Sequence, residues 1–420
     1  MEKISGKIMA KKSEKNIITG LDIGTSKVVA LVGEVAVDGA IEIIGIGRHP
    51  SRGLKRGVVV DIEATVNSIQ RAVQEAELMA GCEVRTVYAG IAGSHIRSLN
   101  SHGIVAIRDQ EVSQADVERV IDAAKAVAIP ADQKILHILP QEFIIDNQGS
   151  IREPIGMAGV RLEARVHIVT GAVSAAQNIV KCVRRCGLDV NDIILEQLAS
   201  SHAVLTEDEK ELGVCLIDIG GGTTDIVVFA EGAIQFTSVI PIAGDQVTND
   251  IAMALRTPTK AAEAIKIDHA CAMPELASAN DMIEVTSMND RPGRKISAKV
   301  LSEVVSARYE ELFSLVRSEL RRSGFEQRIA AGMVMTGGGS SVRGAIELAE
   351  MCFEMPVRHG CAHHVSGLAE ATVNPVLATG VGLLLHGLQQ QYEGGYNAPV
   401  LSMNGKGLWK RMREWFQGNF

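Results

Sequence analysis

The sequence predicts an α/β chain in which two domains of similar build fold around a shared nucleotide cleft, and three observations carry that prediction. An aspartate-glycine signature occurs twice, as Asp22-Ile23-Gly24-Thr25-Ser26-Lys27 and as Asp218-Ile219-Gly220-Gly221-Gly222-Thr223-Thr224-Asp225, 196 residues apart and each between two apolar runs. That interval is too long for a solenoid repeat and suits one architecture used twice. A third glycine cluster, Thr336-Gly337-Gly338-Gly339-Ser340-Ser341, follows another apolar run. The 420 residues are 46% hydrophobic and hold 41 glycines but only 3% aromatic residues, which suits α/β packing better than a sandwich and allows more than one core.

In chain order, residues 16–23 and 28–35 are β-branched runs that read as strands, with 24–27 as the tight turn between them. Glycine there admits positive φ and lets backbone N–H groups approach an anion, while Thr25 and Ser26 add hydroxyl donors. The second signature repeats the pattern with strands at 214–217 and 226–230 and a turn at 220–223. Asp22 and Asp218 stand at strand ends, where a hydrated Mg²⁺ bridging phosphates needs carboxylates. A plain hairpin turn accounts for either signature alone; two copies at domain spacing favour phosphates. Residues 331–335 read as a buried strand and 342–352 as a helix capped by Ser340 or Ser341, a start that offers free N–H groups to a phosphate or ribose. Neither a dinucleotide fingerprint nor a Walker loop is present. Glu263 and Lys266 share a helical face at i, i+3, as ligand groups or as a solvated pair.

The seven cysteines include no Cys-x-x-Cys pair, and Cys182 and Cys186 without histidine partners read as reduced thiols. The first sixteen residues lack an apolar signal region, and no run of eighteen apolar residues marks a membrane span. A net charge of −8 argues against nucleic acid as a partner. Residues 389–407 are rich in Gln, Gly, Asn and Pro and read as a flexible linker. Beyond it lie Leu408, Trp409, Lys410, Arg411, Met412, Arg413, Glu414, Trp415 and Phe416, with both tryptophans of the chain. At about 100° per residue the five apolar side chains gather in an arc of roughly 120° with the charges outside it, the pattern of a helix lying in a membrane surface. A helix docked on the body is the other reading.

The two phosphate-loop signatures, the Ala-Glu-x-x-Lys helix and the third glycine loop, in the order found, resemble the superfamily of actin, sugar kinases and heat-shock chaperones. Ser51-Arg52-Gly53 with Gly57 and Asp61, Pro140-Gln141-Glu142-Phe143 through His167-Ile168-Val169-Thr170, and Ala243-Gly244-Asp245 with Thr248, Asp250, Ile251 and Ala252 resemble the FtsA family of bacterial cell division proteins more closely, across most of 16–388. The resemblance implies an actin-like (ribonuclease H-like) fold that binds ATP and Mg²⁺. Gly24, Thr25, Ser26, Lys27, Gly220, Gly221, Gly222 and Thr223 would hold phosphates, Glu263, Lys266, Gly337, Gly338 and Gly339 the ribose and base, and Asp22 and Asp218 the Mg²⁺ through water.

It further implies subdomain 1A at 16–83, 163–199 and 360–388, 1C at 84–162, 2A at 200–240 and 309–359, 2B at 241–308, and a membrane-targeting helix at 408–420. Within 84–162 the sequence reads as strands at 86–91, 103–107 and about 135–145 and a helix at 113–127. Subdomain 2B would receive the FtsZ tail, for which Arg291, Arg294, Lys295 and Lys299 form a basic stretch; a solvated loop explains these charges equally. Glu196, just before the second loop, is the candidate for positioning water in slow ATP hydrolysis, or is only an N-terminal helix carboxylate. The function implied is an ATP-binding adaptor that polymerises, recruits later division proteins through 1C, and tethers the FtsZ ring to anionic lipid on the cytoplasmic face of the inner membrane. A PilM-like scaffold and a small-molecule kinase of the superfamily are the alternatives.

Overall fold

The computed structural model describes residues 16–287 and 293–394. Arg291, the segment from 395 on and the expected membrane helix lie outside the described residues. Apolar runs open the chain as an antiparallel meander of β1 (Ile17–Ile23), β2 (Lys27–Val35) and β3 (Ile41–Pro50). A short hairpin, β4 (Leu54–Lys55) and β5 (Val58–Val59), leads into α1 (Ile62–Ala80). Asp61 caps this helix by accepting the Ala64 N–H, and Gly81 ends it at φ 65°, a left-handed conformation glycine adopts without strain. β6 (Thr86–Ile91) returns parallel to β1.

An inserted unit follows, made of β7 (Arg97–Ala106), α2 (Gln114–Lys125), β8 (Gln133–Ile145), β9 (Gln148–Ile151) and β10 (Arg161–Ala172). Its strands lie in the order β7-β10-β8-β9, and α2 packs Val120 and Ile121 against Leu162, Val166 and Ile168 in a core of its own. The Ser113 hydroxyl and the Asp116 carboxylate close a capping box at the start of α2.

The chain then passes through α3 (Val173–Arg185), β11 (Asp189–Leu195), α4 (Glu196–Val204) and α5 (Glu207–Leu212) into a second lobe that begins as the first did. β12 (Val214–Ile219), β13 (Thr224–Ala230) and β14 (Ala233–Ile240) form another antiparallel meander, with Asp218 directly opposite Asp225. Helices α6 (Gly244–Leu255) and α7 (Thr259–His269), the hairpin β15 (Met282–Val285) with β16 (Arg294–Ser297), and α8 (Ala298–Ser323) build out from it. β17 (Met333–Thr336), α9 (Ala345–Phe353) and β18 (Val357–His359) complete a sheet ordered β14-β13-β12-β17-β18. Finally β19 (Val365–Gly367), α10 (Ala369–Val373) and α11 (Ala378–Gly394) close the first lobe, whose sheet runs β11-β6-β1-β2-β3-β19. β1, β2, β12 and β13 are buried along almost their whole length, as strands covered on both faces must be.

The inserted sheet spans 97–172 where 84–162 was expected, because β6 pairs with β1 in the first lobe and β10 lies between β7 and β8. Two further local expectations change. The helix expected over 342–352 begins at Ala345 behind Gly344, not behind Ser340 or Ser341, because a 3-10 turn over Gly338–Ser341 intervenes. Ser340 is already engaged there, donating to the Gly337 carbonyl (2.7 Å) and meeting His359 Nε2 (2.9 Å). Nor does the chain leave regular structure at 389: α11 continues to Gly394, with Gln391 Oε1 accepting from Asn16 Nδ2 at 3.1 Å. The seven cysteines are free thiols, and Cys186 Sγ meets the Cys182 carbonyl at 3.2 Å along the helix.

Helix α11 lies backbone-close to its neighbours. A Cβ at Gly382 would stand 1.7 Å from the Ala199 carbonyl oxygen of α4, and one at Gly20 of β1 would stand 2.7 Å from the Gly380 carbonyl. Since both obstacles are backbone, Gly382→Ala must push α11 and α4 apart. Urea unfolding of this variant is expected to show a loss of about 1–3 kcal/mol, and an unchanged midpoint would contradict the packing.

Candidate functional site

A cavity of about 920 Å³ lies between the lobes. Both signature turns reach it because each connects the first two strands of its meander, and the sheets bring the two turns face to face. A Cβ at Gly222 would lie 2.5 Å from Thr25 Oγ1, and one at Gly221 would lie 2.8 Å from Ser26 Oγ. Neither Gly24 nor Gly220, Gly221 or Gly222 has a positive φ, so the turns need these glycines for close approach and not for handedness. The second turn is braced by α6, whose Gly244 and Asp245 N–H groups donate to the Gly220 and Gly221 carbonyls at 3.1 and 2.7 Å. The first is braced by Gly57 N–H, which donates to Thr25 Oγ1 at 3.0 Å.

Beneath the turns Asp22, Asp218, Asp225 and Glu196 line the floor with Lys27. Burial, more than any neighbour, pushes the Asp225 carboxyl up to about 8, with repulsion from Asp218 adding to it. The same desolvation raises Asp22 to about 6, against the pull of Lys27. It also raises Asp218, and lifts Glu196 well above the ordinary carboxylate range with the three aspartates contributing. Lys27 is held below its ordinary value by burial and donates to the Val376 carbonyl at 2.9 Å. Asp218 accepts from Ser200 Oγ (2.6 Å) and Thr379 Oγ1 (3.2 Å). Asp225 Oδ2 accepts from Thr223 Oγ1 at 2.9 Å, while its Oδ1 is buried with no protein partner.

The far end of the cavity is lined by Glu263 and Lys266 of α7 and by Gly337, Gly338 and Gly339. Glu263 and Lys266 form an ion pair of 2.8 Å, and Lys266 Nζ also donates to the Gly244 carbonyl (3.1 Å) and Thr248 Oγ1 (2.9 Å), so the pair is fixed at the cleft rather than loose in solvent. Gly337, at φ 81°, would place a Cβ 2.3 Å from Asp218 Oδ1, and the Gly339 carbonyl accepts from the buried Tyr309 hydroxyl at 2.6 Å. The third glycine loop therefore closes on the carboxylates of the second.

Every residue expected around phosphates, sugar, base and cation lines this one cavity, Glu196 included. The basic stretch does not: Arg294, Lys295 and Lys299 are exposed on β16 and the start of α8. Arg294 donates to the Leu255 carbonyl at 2.7 Å, and Lys295 is registered opposite Glu284. Sequence reasoning missed Asp225, Asp245, Asn374 and Thr379 as cavity residues. Asp225 carried a signal, an acid near the start of an otherwise apolar strand; Asn374 and Thr379 carried none. Chemically, the site offers backbone and hydroxyl donors from two facing turns, with oxygen ligands suited to a hard cation below them.

Comparison with known proteins is consistent with this arrangement. Residues 215–382 match the family described as cell division protein FtsA, and residues 93–170 match the SHS2 domain inserted in FtsA. The chain is 63% identical over 425 aligned residues to the cell division protein FtsA of Pseudomonas aeruginosa, covering 98% of this chain and all of the relative. Identity to the FtsA of Neisseria meningitidis is 50% and to that of Escherichia coli 44%, with 97% and 98% of this chain and all of each relative covered. Among solved structures, a PilM-PilN type IV pilus biogenesis complex superimposes with a TM-score of 0.64 at 16% identity, covering 88% of this chain and 98% of that chain. MreB5 of Spiroplasma citri bound to ADP gives a TM-score of 0.53 at 16% identity, covering 90% and 99%. These structures share the actin-like fold.

The raised carboxyls set a pH dependence. In the unfolded chain Asp225 releases its proton near 3.8, whereas in the folded chain it holds it to about 8. The folded state thus binds more protons across that window, and stability falls as pH rises through it. Asp225→Asn should raise the stability of the ligand-free protein at pH 8 by at least about 1 kcal/mol and leave it nearly unchanged at pH 4. Thermal melts at both pH values check this; an equal shift at both would contradict it.

Proposed function

Because the chain belongs to the FtsA family of cell division proteins, we propose that it is an ATP-binding, actin-like adaptor that assembles into filaments and tethers the FtsZ ring to the cytoplasmic face of the inner membrane. The observation that carries the nucleotide part is the meeting of Thr25 and Ser26 with Gly222 and Gly221 across the cleft. Mg-ATP, when bound, supplies the polyanion that donors from both lobes can hold at once. Gly24–Lys27 and Gly220–Thr223 would hold its phosphates, and Glu263, Lys266 and Gly337–Gly339 its nucleoside. Asp22, Asp218 and the orphaned Asp225 Oδ1 suit a cation and its water shell. Among the described residues no three acidic, histidine or cysteine side chains are grouped to ligate one ion directly, which favours contact through water.

Ligand held by both lobes favours whichever lobe arrangement presents the better grip, and such a population shift is how nucleotide would promote assembly. Glu196 would orient water, yet burial beside three aspartates lifts its carboxyl well above the ordinary range and so disfavours the charged form, which suits slow hydrolysis at most. Phosphate release by Glu196→Gln should be slower still, with nucleotide affinity retained; unchanged release would remove Glu196 from that role. The readings as a PilM-like scaffold or a kinase rest on fold likeness alone.

The membrane part of the proposal rests on residues 408–416, five large apolar side chains interspersed with Lys410, Arg411, Arg413 and Glu414. No helix among the described residues is long and apolar enough to cross a membrane. Subdomain 2B, with Arg291, Arg294, Lys295 and Lys299, would take the FtsZ tail, and the inserted unit the later division proteins. Co-pelleting with anionic liposomes in Mg-ATP tests this. The full chain is expected to pellet and a truncation after Gly405 to stay in solution, with omission of ATP weakening attachment through lost avidity. Equal pelleting of both proteins, or of neither, would refute the tether.

A further inference from the structure

The inserted unit touches more than the lobe it grows from. β14 is the edge strand of the second lobe's sheet, and an edge strand leaves backbone carbonyls without ladder partners. Here side chains of the inserted unit fill that role. Ser98 Oγ donates to the Thr237 carbonyl (2.9 Å), Asn100 Nδ2 to the Gln235 carbonyl (3.2 Å) and Gln141 Nε2 to the Ile234 carbonyl (2.9 Å). The ladder between β13 and β14 shifts register at this point, leaving Gln235 without a cross-strand partner in the bulge. His167 of β10 joins the set: one ring nitrogen lies 2.6 Å from Asn100 Oδ1 and the other 2.9 Å from Thr237 Oγ1. Its ring is buried, and burial holds its pKa down to about 4, so it is neutral and fixed by these two bonds.

Both contacts of the unit lead straight to the cleft. β14 pairs with β13 so that Val239 opposes Asp225 and Ile240 opposes Thr224, immediately after the second phosphate turn. On the other side the unit is rooted in the first lobe by the 92–96 connection, where a Cβ at Gly57 would come 2.8 Å from Gly93 Cα, and Gly57 N–H donates to Thr25 of the first turn. A third tie, the Leu195 N–H donating to His137 Nε2 of β8 at 3.0 Å, fixes the start of the helix that carries Glu196. The unit therefore bridges the lobes on the outside of the cleft, one element away from each phosphate turn.

We propose that the inserted unit is the readout of the cleft: the Asn100–His167–Thr237 latch transmits the relative position of the two phosphate turns to β7, so that ligand gripping both turns orders the face this unit presents to partners. The inference rests on the nucleotide reading above and assigns these three residues a positioning role, since none of them lines the cavity. A latch of this kind differs from ordinary packing in one measurable respect, which is that its loss uncouples the unit from ligand without removing ligand binding.

The test is amide exchange of the full chain with and without Mg-ATP, in the parent protein, in Thr237→Val, which keeps the side-chain shape, and in Asn100→Ala at a surface position. In the parent, ligand is expected to slow exchange in the two phosphate turns and, by about fivefold, in β7. In both variants the turns should stay protected with nucleotide affinity within about threefold of the parent, while the β7 response falls below about twofold. Persistence of the β7 response in both variants, or protected turns with no β7 response in the parent, overturns the latch and leaves nucleotide binding intact. No protection of the turns in the parent overturns the nucleotide reading, and the latch with it.

Discussion

Four acidic side chains packed beneath two glycine turns are the constraint to which the rest of the molecule answers. Asp22, Asp218 and Asp225 are almost wholly inaccessible and Glu196 borders the same space, so desolvation and mutual repulsion both oppose their ionisation. A floor of this kind is tolerable only with internal compensation or with a cation. The chain supplies some of the former through Lys27, Ser200, Thr379 and Thr223, and leaves Asp225 Oδ1 without any. The cleft is thus built at a cost to the ligand-free protein, as sites prepared for charged ligands commonly are.

Holding that floor in place requires backbones to come unusually near one another. Gly221 and Gly222 sit against Ser26 and Thr25, Gly337 against Asp218, and Gly382 against Ala199, in each case where even one methyl group would collide. These contacts tie α11, α4, the third glycine loop and both signature turns into one body around the carboxylates. Large side chains do the complementary work farther out, where Tyr309, Phe313 and Phe353 fill the second lobe behind the Gly339 loop.

Much of the site was legible in the sequence, for a specific reason: most of its residues cluster in three short glycine motifs, and although a hairpin turn explains any one of them, their recurrence at domain spacing is not explained that way. The first two strands of each lobe, the α7 pair Glu263 and Lys266, and the third loop all fall where the sequence put them. The start of α9 was misjudged because Ser340 has the right chemistry for a cap but spends its hydroxyl inside the loop. The end of α11 was misjudged because polar Gln389 to Gln391 resemble linker composition although glutamine is a good helix former.

By itself, then, the sequence determined the duplicated strand-turn-strand units, the location of the two glycine turns, the acids at their strand ends and, through these motifs, the resemblance to the family to which the chain belongs. Those are properties of short segments, where residue type and spacing act directly on the local backbone. Only the tertiary structure decided which turns face each other, that Asp225 joins the carboxylate floor, that Asn374 and Thr379 reach the cleft from residues far along the chain, and that the inserted unit spans both lobes through His167. Each of these depends on how separate sheets are placed relative to one another, a relation that long-range packing sets and that no local periodicity encodes.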